Sequence, residues 1–330
     1  MSPERSKQTR TGVVFGGSGF IGQHLLNTIT TRCWHAKVYS VDVLPAKSRL
    51  PGVSYIEADL REPISLSVEP GESTIYNLTG VRTFPGHPDW EYYDTNILTA
   101  QRALDFAEAH AVKKIVFTST MSVYSPGDTP RTESSPTNPV SPYGRSKLIG
   151  EVLHQGWLAR NPSAQLIICR PAVIFGAGDN GNFTRLARSL ECGYFVYVGR
   201  RDTIKSCGYV GDLVDSFRFA LDTDQRFLVY NFAYPQRYII QDIVEAFCRV
   251  AGYRAPRLTA PPALLNAAAL GFETLNAVGV KNPVHRERVK KLFESTNIVP
   301  EWLVKNGFPY GTDLESALRT WWSACGGRFA

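Results

Sequence analysis

Cysteine is sparse in this chain, and its spacing excludes two kinds of site. The six cysteines among 330 residues form no Cys-x-x-Cys pair, so the pattern predicts neither a structural zinc site nor a disulfide framework. No metal ligand is therefore assigned in the sequence. Dispersed thiols are typical of a reducing compartment, and we expect a cytoplasmic protein.

The chain also has little that would indicate secretion, nucleic-acid binding or a membrane span. Residues 1–11 are polar and basic, which predicts a flexible N-terminus and no apolar signal segment. The net charge of +6 is modest and basic residues do not alternate with aromatic ones, so we expect no nucleic-acid partner. The apolar run Ala263–Val280 contains Asn266 and Glu273 and is barely long enough to cross a bilayer. We predict a packed, soluble helix there, with weak peripheral membrane attachment as the alternative.

What the chain does have is a regular alternation of strand-like and helical segments. Two long helical segments are predicted at Tyr92–His110 and Pro142–Arg160. The strand-like runs are Gly12–Phe15, Ala36–Val41, Val53–Glu57, Thr74–Leu78, Lys114–Thr118 and Gln165–Cys169. This alternation predicts an α/β fold of the Rossmann type, in which helices cover both faces of a doubly wound parallel sheet.

The pattern changes after Arg170, where glycine and proline become frequent and helical segments shorten. We expect residues 12–175 to form the cofactor-binding domain, which carries the catalytic residues. Residues 176–330 are expected to be mostly a smaller α/β substrate lobe, with some segments returning to the sheet. The predicted segments of this lobe are Phe183–Glu191, Thr259–Val280, Val284–Lys291 and a last helix at Asp313–Trp322.

A glycine-rich turn follows the first predicted strand. Gly16, Gly19 and Gly22 stand three residues apart, and apolar residues continue after them at helical spacing. A tight turn that leads into a helix N-terminus binds the pyrophosphate of dinucleotides. Asp42, twenty residues past Gly22, is suited to accept hydrogen bonds from the adenosine ribose hydroxyls.

The same aspartate bears on the choice of nicotinamide cofactor. A carboxylate would repel the 2′-phosphate of NADP, so Asp42 favours NAD. Lys47 and Arg49 follow closely in sequence, and they leave NADP as the alternative.

A second motif, Tyr143-x-x-x-Lys147, lies just after a predicted helix start at Ser141-Pro142. Residues four apart on a helix point from the same face. A nearby ammonium favours the phenolate and lowers the pKa of a tyrosine from its reference value near ~10. The motif therefore predicts a proton acceptor for the oxidation of an alcohol near neutral pH.

These motifs resemble the extended short-chain dehydrogenase/reductases, and within them the NAD-dependent epimerase/dehydratase family typified by UDP-sugar 4-epimerases. The resemblance runs from Gly12 to about Trp322. The matching stretches are Val14–Gly22, Tyr92–Asn96, Ile115–Tyr124, Ser141–Lys147, Arg170–Gly176 and Gly208–Val214.

The resemblance implies a role for each motif. Tyr143 would be the general acid/base, Lys147 would lower its pKa and hold the nicotinamide ribose, and Thr120 would orient the reacting oxygen. Asn96 would support the lysine through water. The implied cofactor contacts are Gly16, Ser18, Gly19, Phe20, Ile21, Gly22, Asp42, Asp59, Leu60, Leu78, Thr79, Gly80, Asn96, Tyr143, Lys147, Pro171 and Val173. The implied substrate contacts are Thr120, Ser122, Tyr143, Asn182 and Lys205.

Two positions on the substrate side depart from the family pattern. Lys205 stands where the family commonly has an arginine that reaches the diphosphate, so the charge is kept and the two-pronged geometry is lost. Val173 stands where UDP-galactose epimerases carry an asparagine that contacts the sugar. The motifs therefore indicate a diphosphate in the substrate more strongly than they indicate which sugar it carries.

The resemblance implies NAD-dependent 4-epimerisation of a nucleotide-diphospho-sugar for polysaccharide biosynthesis, and a homodimer is expected. Two alternatives share the motifs: a nucleotide 4-keto-sugar reductase, and a hydroxysteroid- or terpenoid-type alcohol dehydrogenase, which the apolar Ala263–Val280 run favours. A 4,6-dehydratase is disfavoured because that branch has Asp-Glu after its threonine, whereas Met121-Ser122 follow Thr120. A non-enzymatic dinucleotide sensor is disfavoured because Tyr143 and Lys147 are both present.

Overall fold

The computed structural model describes residues 10–82, 86–261 and 293–330. In these ranges the strands are β1 (Thr11–Phe15), β2 (Lys37–Asp42), β3 (Val53–Glu57), β4 (Ser73–Asn77), β5 (Lys114–Thr118), β6 (Gly127–Arg131), β7 (Gln165–Pro171), β8 (Val173–Phe175), β9 (Tyr197–Val198), β10 (Cys207–Tyr209), β11 (Phe227–Phe232), β12 (Thr259–Ala260) and β13 (Thr296–Ile298). The helices are α1 (Phe20–Thr31), α2 (Asp89–Ala109), α3 (Pro142–Arg160), α4 (Asn182–Glu191), α5 (Val210–Leu221), α6 (Ile240–Ala251), α7 (Glu301–Lys305) and α8 (Leu314–Ala324), and a 3₁₀ turn spans Met121–Val123.

Seven strands form one central sheet in the order β3-β2-β1-β4-β5-β7-β11. Every neighbouring pair in it is parallel. The chain order reverses between β1 and β4, and a doubly wound sheet opens a crevice at the carboxyl ends of its strands at such a point. The predicted Rossmann fold is confirmed.

The two faces of the sheet bury alternate side chains. Val14 of β1 packs in the same core as Leu25 of α1 and Phe217 of α5. Its neighbours Val13 and Phe15 point the other way, into the core that lies under α2 and α3. Because both faces are covered by helices, the central strands β1 and β4 are buried along their whole length, which is typical of parallel sheets.

The predicted elements agree with the structure most closely in the first half of the chain. β3, β5 and α3 have the predicted bounds, and the other predicted strands differ by one or two residues at an end. Prediction missed β11, the edge strand beside β7, together with α5 and α6. The chain thus returns to the central sheet well after position 175.

A separate core lies beside the sheet, among α4, α6 and α8. Phe175, Phe183, Phe247 and Trp321 pack together there. The predicted segments at Phe183–Glu191 and Asp313–Trp322 correspond to α4 and α8, and Thr259–Ala260 is the short strand β12. The predicted segments Ala263–Val280 and Val284–Lys291, and most of the N-terminal tail, lie outside the described residues. Within the part of the chain that is described, no helix combines the length and apolar character that a membrane crossing needs.

Candidate active site

The glycine-rich turn joins β1 to α1 and packs tightly against the neighbouring segments. Gly16 has φ +83°, and a Cβ there would lie 3.1 Å from the backbone of Leu78. A Cβ on Gly22 would lie 2.3 Å from the carbonyl oxygen of Gly16. Gly19 is the N-cap of α1. The turn therefore brings backbone N–H groups and the positive end of a helix to the carboxyl edge of the sheet, an arrangement that binds phosphates.

Asp42 ends β2 beside this turn. Its Oδ2 accepts a hydrogen bond from the Ser18 amide at 2.9 Å, and its Oδ1 accepts one from the Leu44 amide at 3.0 Å. The Ser18 hydroxyl donates to the Leu44 carbonyl at 2.8 Å. Asp42 is thus fixed next to the phosphate-binding turn, where the sequence predicts a ribose contact.

Asp59 and Leu60 follow β3 on the same edge of the sheet. Arg61 donates from Nη2 to Asp59 at 2.7 Å and also contacts Asp94. These hydrogen bonds lower the pKa of the Asp59 carboxyl. Leu60 is buried in the core under α2. Asp59 is therefore held by a cation at the predicted adenine side of the crevice.

The segment after β4, Leu78–Gly80, is held against α3. Lys147 donates from Nζ to the Thr79 carbonyl at 3.2 Å. Asn96 accepts from the Val81 amide at 2.7 Å and donates to the Ser146 hydroxyl at 2.8 Å. Asn96 is only 4% exposed. It thus ties α2 directly to α3 and to the loop after Gly80, whereas the resemblance implies a water-mediated contact with the lysine.

The predicted catalytic residues come from two segments that meet at the sheet edge. Ser141 caps α3 by accepting from the Gly144 amide at 3.1 Å, which places Tyr143 in the first turn. Thr120 precedes the 3₁₀ turn, and its hydroxyl accepts from the Ser122 amide at 3.1 Å. The Thr120 side chain faces the Tyr143 phenol closely enough to favour its ionised form.

Gly144 allows the two segments to approach this closely. A Cβ on Gly144 would lie 2.2 Å from the carbonyl oxygen of Ser122, a distance that no side chain tolerates. Helix α3 therefore touches the backbone of the 3₁₀ turn, and this contact brings the first turn of α3 beside the segment that follows Thr120.

Burial dominates the titration of the Tyr143–Lys147 pair. It raises the pKa of Tyr143, against the opposing effects of the Thr120 side chain and the charge of Arg82. It lowers the pKa of Lys147 to about 7, against the attraction of Glu151. The prediction of a lowered phenol pKa is wrong for the folded chain, because desolvation outweighs the favourable neighbours.

The predicted contacts on the other side of the crevice, Pro171 and Val173 to the cofactor and Lys205 to the substrate, lie on separate segments. Pro171 ends β7, and Val173 begins β8, where its amide donates to the Ser206 carbonyl at 3.3 Å. Beside Ser206, Lys205 donates from Nζ to the Glu294 carbonyl at 2.6 Å. Burial lowers the pKa of Lys205 to about 8. The structure thus brings Lys205 next to Val173.

Asn182 opens α4, and its Oδ1 accepts from Arg185 at 2.7 Å. A cavity of about 430 Å³ lies beside Lys205, with Glu294, Ser295 and Arg200 in its wall. The Asn182 side chain contacts its own helix, whereas the Lys205 ammonium contacts the segment before β13 and the Lys205 amide donates to the Tyr238 carbonyl at 2.9 Å. The structure does not link these two residues by a hydrogen bond.

Sequence reasoning missed a buried ion pair behind the catalytic group. Glu151 of α3 and Arg170 of β7 are 0% and 7% exposed, and their closest atoms are 2.6 Å apart. The signal available in the sequence was a glutamate four residues after Lys147, on the same face of a predicted helix.

The fold and the site define an α/β enzyme that uses a nicotinamide dinucleotide, with the binding turn and the Thr–Tyr–Lys group at one edge of the sheet. The sequence pattern of the NAD dependent epimerase/dehydratase family matches residues 13–233, and the chain belongs to this family. The family predicted from the motifs and its dependence on NAD are thereby confirmed.

Several proteins of known name are similar to the chain over most of its length. The N-acetyl-alpha-D-glucosaminyl-diphospho-ditrans,octacis-undecaprenol 4-epimerase of Escherichia coli O157:H7 is 28% identical over 304 residues, which cover 90% of each chain. The UDP-glucose 4-epimerase 2 of Oryza sativa subsp. japonica is 25% identical, over 76% of this chain and 72% of that one. The structure of MoeE5 in complex with UDP-glucuronic acid and NAD has the same fold, with a TM-score of 0.73 at 23% identity over 96% of this chain and 99% of that one.

Proposed function

We propose that the protein is a 4-epimerase of diphosphate-linked sugars, and that a nucleotide-diphospho-sugar is its substrate. The observation that carries the proposal is the close contact of helix α3 with the turn after Thr120. It brings Tyr143, and Lys147 one turn further on, beside Thr120 at the sheet edge that also holds Asp42 and the glycine turn. An alcohol placed between these groups can lose a proton and a hydride together.

Tyr143 would take the proton from the sugar hydroxyl, and Thr120 would hold that oxygen in line with the phenol. When bound, NAD supplies the hydride acceptor for the same carbon and retains the hydride for its return. After the keto-sugar has turned over, Tyr143 would return the proton to the oxygen as hydride reaches the opposite face. Lys147 would hold the nicotinamide ribose, from its buried place on α3.

The residues around the turn fit the cofactor. The Gly16–Gly22 turn would hold the pyrophosphate, and Asp42 would accept from the adenosine ribose, because the structure fixes both at the sheet edge. Asp59 and Leu60 would flank the adenine. Leu78–Gly80, Pro171 and Val173 would line the nicotinamide, with Asn96 fixing the first of these segments.

The substrate side is proposed to come mainly from residues 176–330, with residues 12–175 as the cofactor domain. Lys205 and Asn182 would contact the diphosphate, and Ser122 would contact the sugar. Lys205 lies beside both Val173 and the cavity at Glu294, which supports this placement.

The residues after Thr120 argue against dehydration. Met121 has no proton chemistry, and the hydroxyl of Ser122 neither ionises near neutral pH nor replaces a carboxylate base. Elimination of water needs an acid and a base at these positions, so epimerisation or net reduction is favoured.

A second candidate substrate is a sugar linked through diphosphate to a polyprenol. The Escherichia coli O157:H7 relative, which matches 90% of this chain, is named for such a substrate. Both candidates present the same sugar diphosphate to the catalytic group and differ only in the carrier.

We further propose that the protein is a cytoplasmic homodimer that serves polysaccharide biosynthesis. Helices α2 and α3 lie side by side, and they expose Leu98, Ile149 and Val152. A second copy that covers this apolar face would complete a helical interface.

The experiment is to incubate the purified protein with UDP-N-acetylglucosamine labelled with deuterium at C4, in one arm with NAD and in the other with NADH. An epimerase yields the C4 epimer with the label retained and no net change in reduced-nicotinamide absorbance. A nucleotide 4-keto-sugar is supplied with NADH in a separate sample. Stoichiometric oxidation of NADH there, without epimer formation in the first two arms, would indicate a reductase instead. A parallel arm with N-acetylglucosaminyl-diphospho-undecaprenol distinguishes the two carriers, and activity only on an uncharged alcohol would contradict both.

A further inference from the structure

A complete ion pair is buried directly behind the catalytic group. Arg170 donates from Nε to one oxygen of Glu151 at 2.9 Å and from Nη2 to the other at 2.6 Å. Removing two charges from water costs several kcal/mol per ion, and apolar residues of the same volume often stabilise a fold equally well. Stability alone is therefore a weak explanation for this pair.

The pair holds the segment that carries Thr120 from both ends. Ser119, which directly precedes Thr120, donates from its hydroxyl to Glu151 at 2.5 Å. Tyr124, which caps the end of the 3₁₀ turn, accepts from Arg170 Nη1 at 2.8 Å. The position of Thr120 therefore depends on where the ion pair fixes its neighbours.

Glu151 also lies one helical turn beyond Lys147, and both side chains are buried. The lysine ammonium lies 4.4 Å from the ring centroid of Phe117 and donates to the Thr79 carbonyl. An aromatic face and one carbonyl replace only part of the hydration of an ammonium. A carboxylate four residues away attracts the charge directly.

We propose that Glu151 is a positioning residue of the reaction. Its carboxylate keeps Lys147 in the ammonium form and, through Ser119 and Arg170, it fixes Thr120 against Tyr143. The inference rests on the function proposed above, because it assigns Glu151 a role within that site.

Lys147 is the group that titrates near neutrality among the described residues that surround it. Burial raises the pKa of Tyr143 and lowers that of His154 to about 4. The charge of Glu151 opposes the burial that lowers the pKa of Lys147 to about 7. The charged and titratable groups packed around this position are Tyr143, Glu151 and His154 of α3, Tyr92 of α2, Arg82 after β4, Tyr124 after β5, and Cys169 and Arg170 of β7.

The first test compares Glu151→Gln with Asp212→Asn. The glutamine keeps the volume of Glu151 and removes its charge, so kcat should fall about tenfold with KM nearly unchanged. Activity that needs the ammonium is lost as pH rises through the pKa of Lys147, so the alkaline limb of the kcat profile should move to lower pH by about half a unit or more. Asp212 is a comparably buried carboxylate, at 4% exposure, that accepts hydrogen bonds from Gly311 and Thr312 and lies outside the proposed site. Its variant should lose stability and keep the wild-type pH profile.

The second test needs neither substrate nor NAD. The pKa of Lys147 is lower in the folded than in the unfolded state, so the unfolded state binds more protons between the two values and stability rises with pH across that window. Without Glu151 the pKa of Lys147 in the folded state should be lower, so the pH range over which stability rises should begin at a lower pH. Urea unfolding between pH 5 and 8, in roughly half-unit steps, should therefore show a steeper rise below pH 7 in Glu151→Gln than in the wild type or Asp212→Asn.

A folded Glu151→Gln protein with the wild-type alkaline limb and stability slope would overturn the proposal. If this variant does not fold, Glu151→Gln/Arg170→Met removes both charges together, which burial tolerates better than one unpaired arginine. The double variant lacks the same carboxylate, so a wild-type stability slope in it would also overturn the proposal. A shifted slope in a protein that epimerises no sugar would support the role of Glu151 and contradict the proposed reaction alone.

Discussion

Replacing Tyr143 by phenylalanine should abolish turnover while the fold and the affinity for NAD stay nearly unchanged. The substitution removes a single oxygen. The ring keeps its edge-on contact with Tyr92, at 6.3 Å between centroids, and its place in the first turn of α3. Thr120 loses the neighbouring phenol oxygen but still accepts a hydrogen bond from the Ser122 amide at 3.1 Å.

The structure predicts a small effect of this substitution on stability and a large effect on kcat. Loss of one polar atom, with Thr120 still bonded to the Ser122 amide, should lower the free energy of unfolding by only ~0.5–1.5 kcal/mol. Loss of the group that carries the proton should lower kcat by ~10²–10⁴, which corresponds to ~2.7–5.4 kcal/mol in the activation barrier. Catalysis should therefore fall far more than stability.

The assay is the initial rate of epimer formation at saturating sugar, alongside a fluorescence titration with NAD and a urea unfolding curve. Tyr92→Phe is the matched control, because it removes a phenol oxygen from the neighbouring buried ring, and it should lower kcat by less than about threefold. A Tyr143→Phe enzyme that keeps more than about a tenth of the wild-type kcat would refute the assignment of the general acid/base.

Three further outcomes follow from the geometry. Asp42→Ala should weaken NAD binding about tenfold or more and reduce the preference for NAD over NADP, because a ribose acceptor and a repulsive charge are lost together. Calorimetry that finds the NAD affinity unchanged and NADP still rejected would contradict this. Gly144→Ala places a Cβ 2.2 Å from the Ser122 carbonyl and should lower kcat about a hundredfold. Gly156→Ala on the same helix meets its nearest atom at 3.7 Å and should be fully active, so equal effects would refute the close-contact explanation. Lys205→Ala should raise KM by ~10–100-fold, less at high salt, and Lys205→Arg should recover most of the loss. The wild-type KM should itself rise as pH increases through about 8, because burial lowers the pKa of Lys205 to that value and the lysine loses its charge above it. A Lys205→Ala variant with the wild-type KM and pH dependence would show that this lysine does not contact the diphosphate.

Local sequence patterns were enough to predict most strands of the central sheet and helix α3. The apolar runs that became β3 and β5 are bounded by turn residues, and α3 begins at a serine cap followed by proline. These signals act over a few residues and need no distant partner. The edge strand β11 was missed although Phe227–Phe232 is an apolar and aromatic run that is typical of a strand. Its place beside β7, some sixty residues earlier, depends on long-range pairing that no local pattern gives.

By itself, the sequence determined the fold class, the glycine-rich turn before α1 and the face of α3 that carries Tyr143 and Lys147, because periodicity and spacing decide these locally. Tertiary structure alone decided the electrostatics. Glu151 finds its partners 19 and 32 positions away, at Arg170 and Ser119, and burial raises rather than lowers the pKa of Tyr143. Desolvation and buried ion pairing depend on groups that come from distant segments of the chain, so both arise only once the chain has folded.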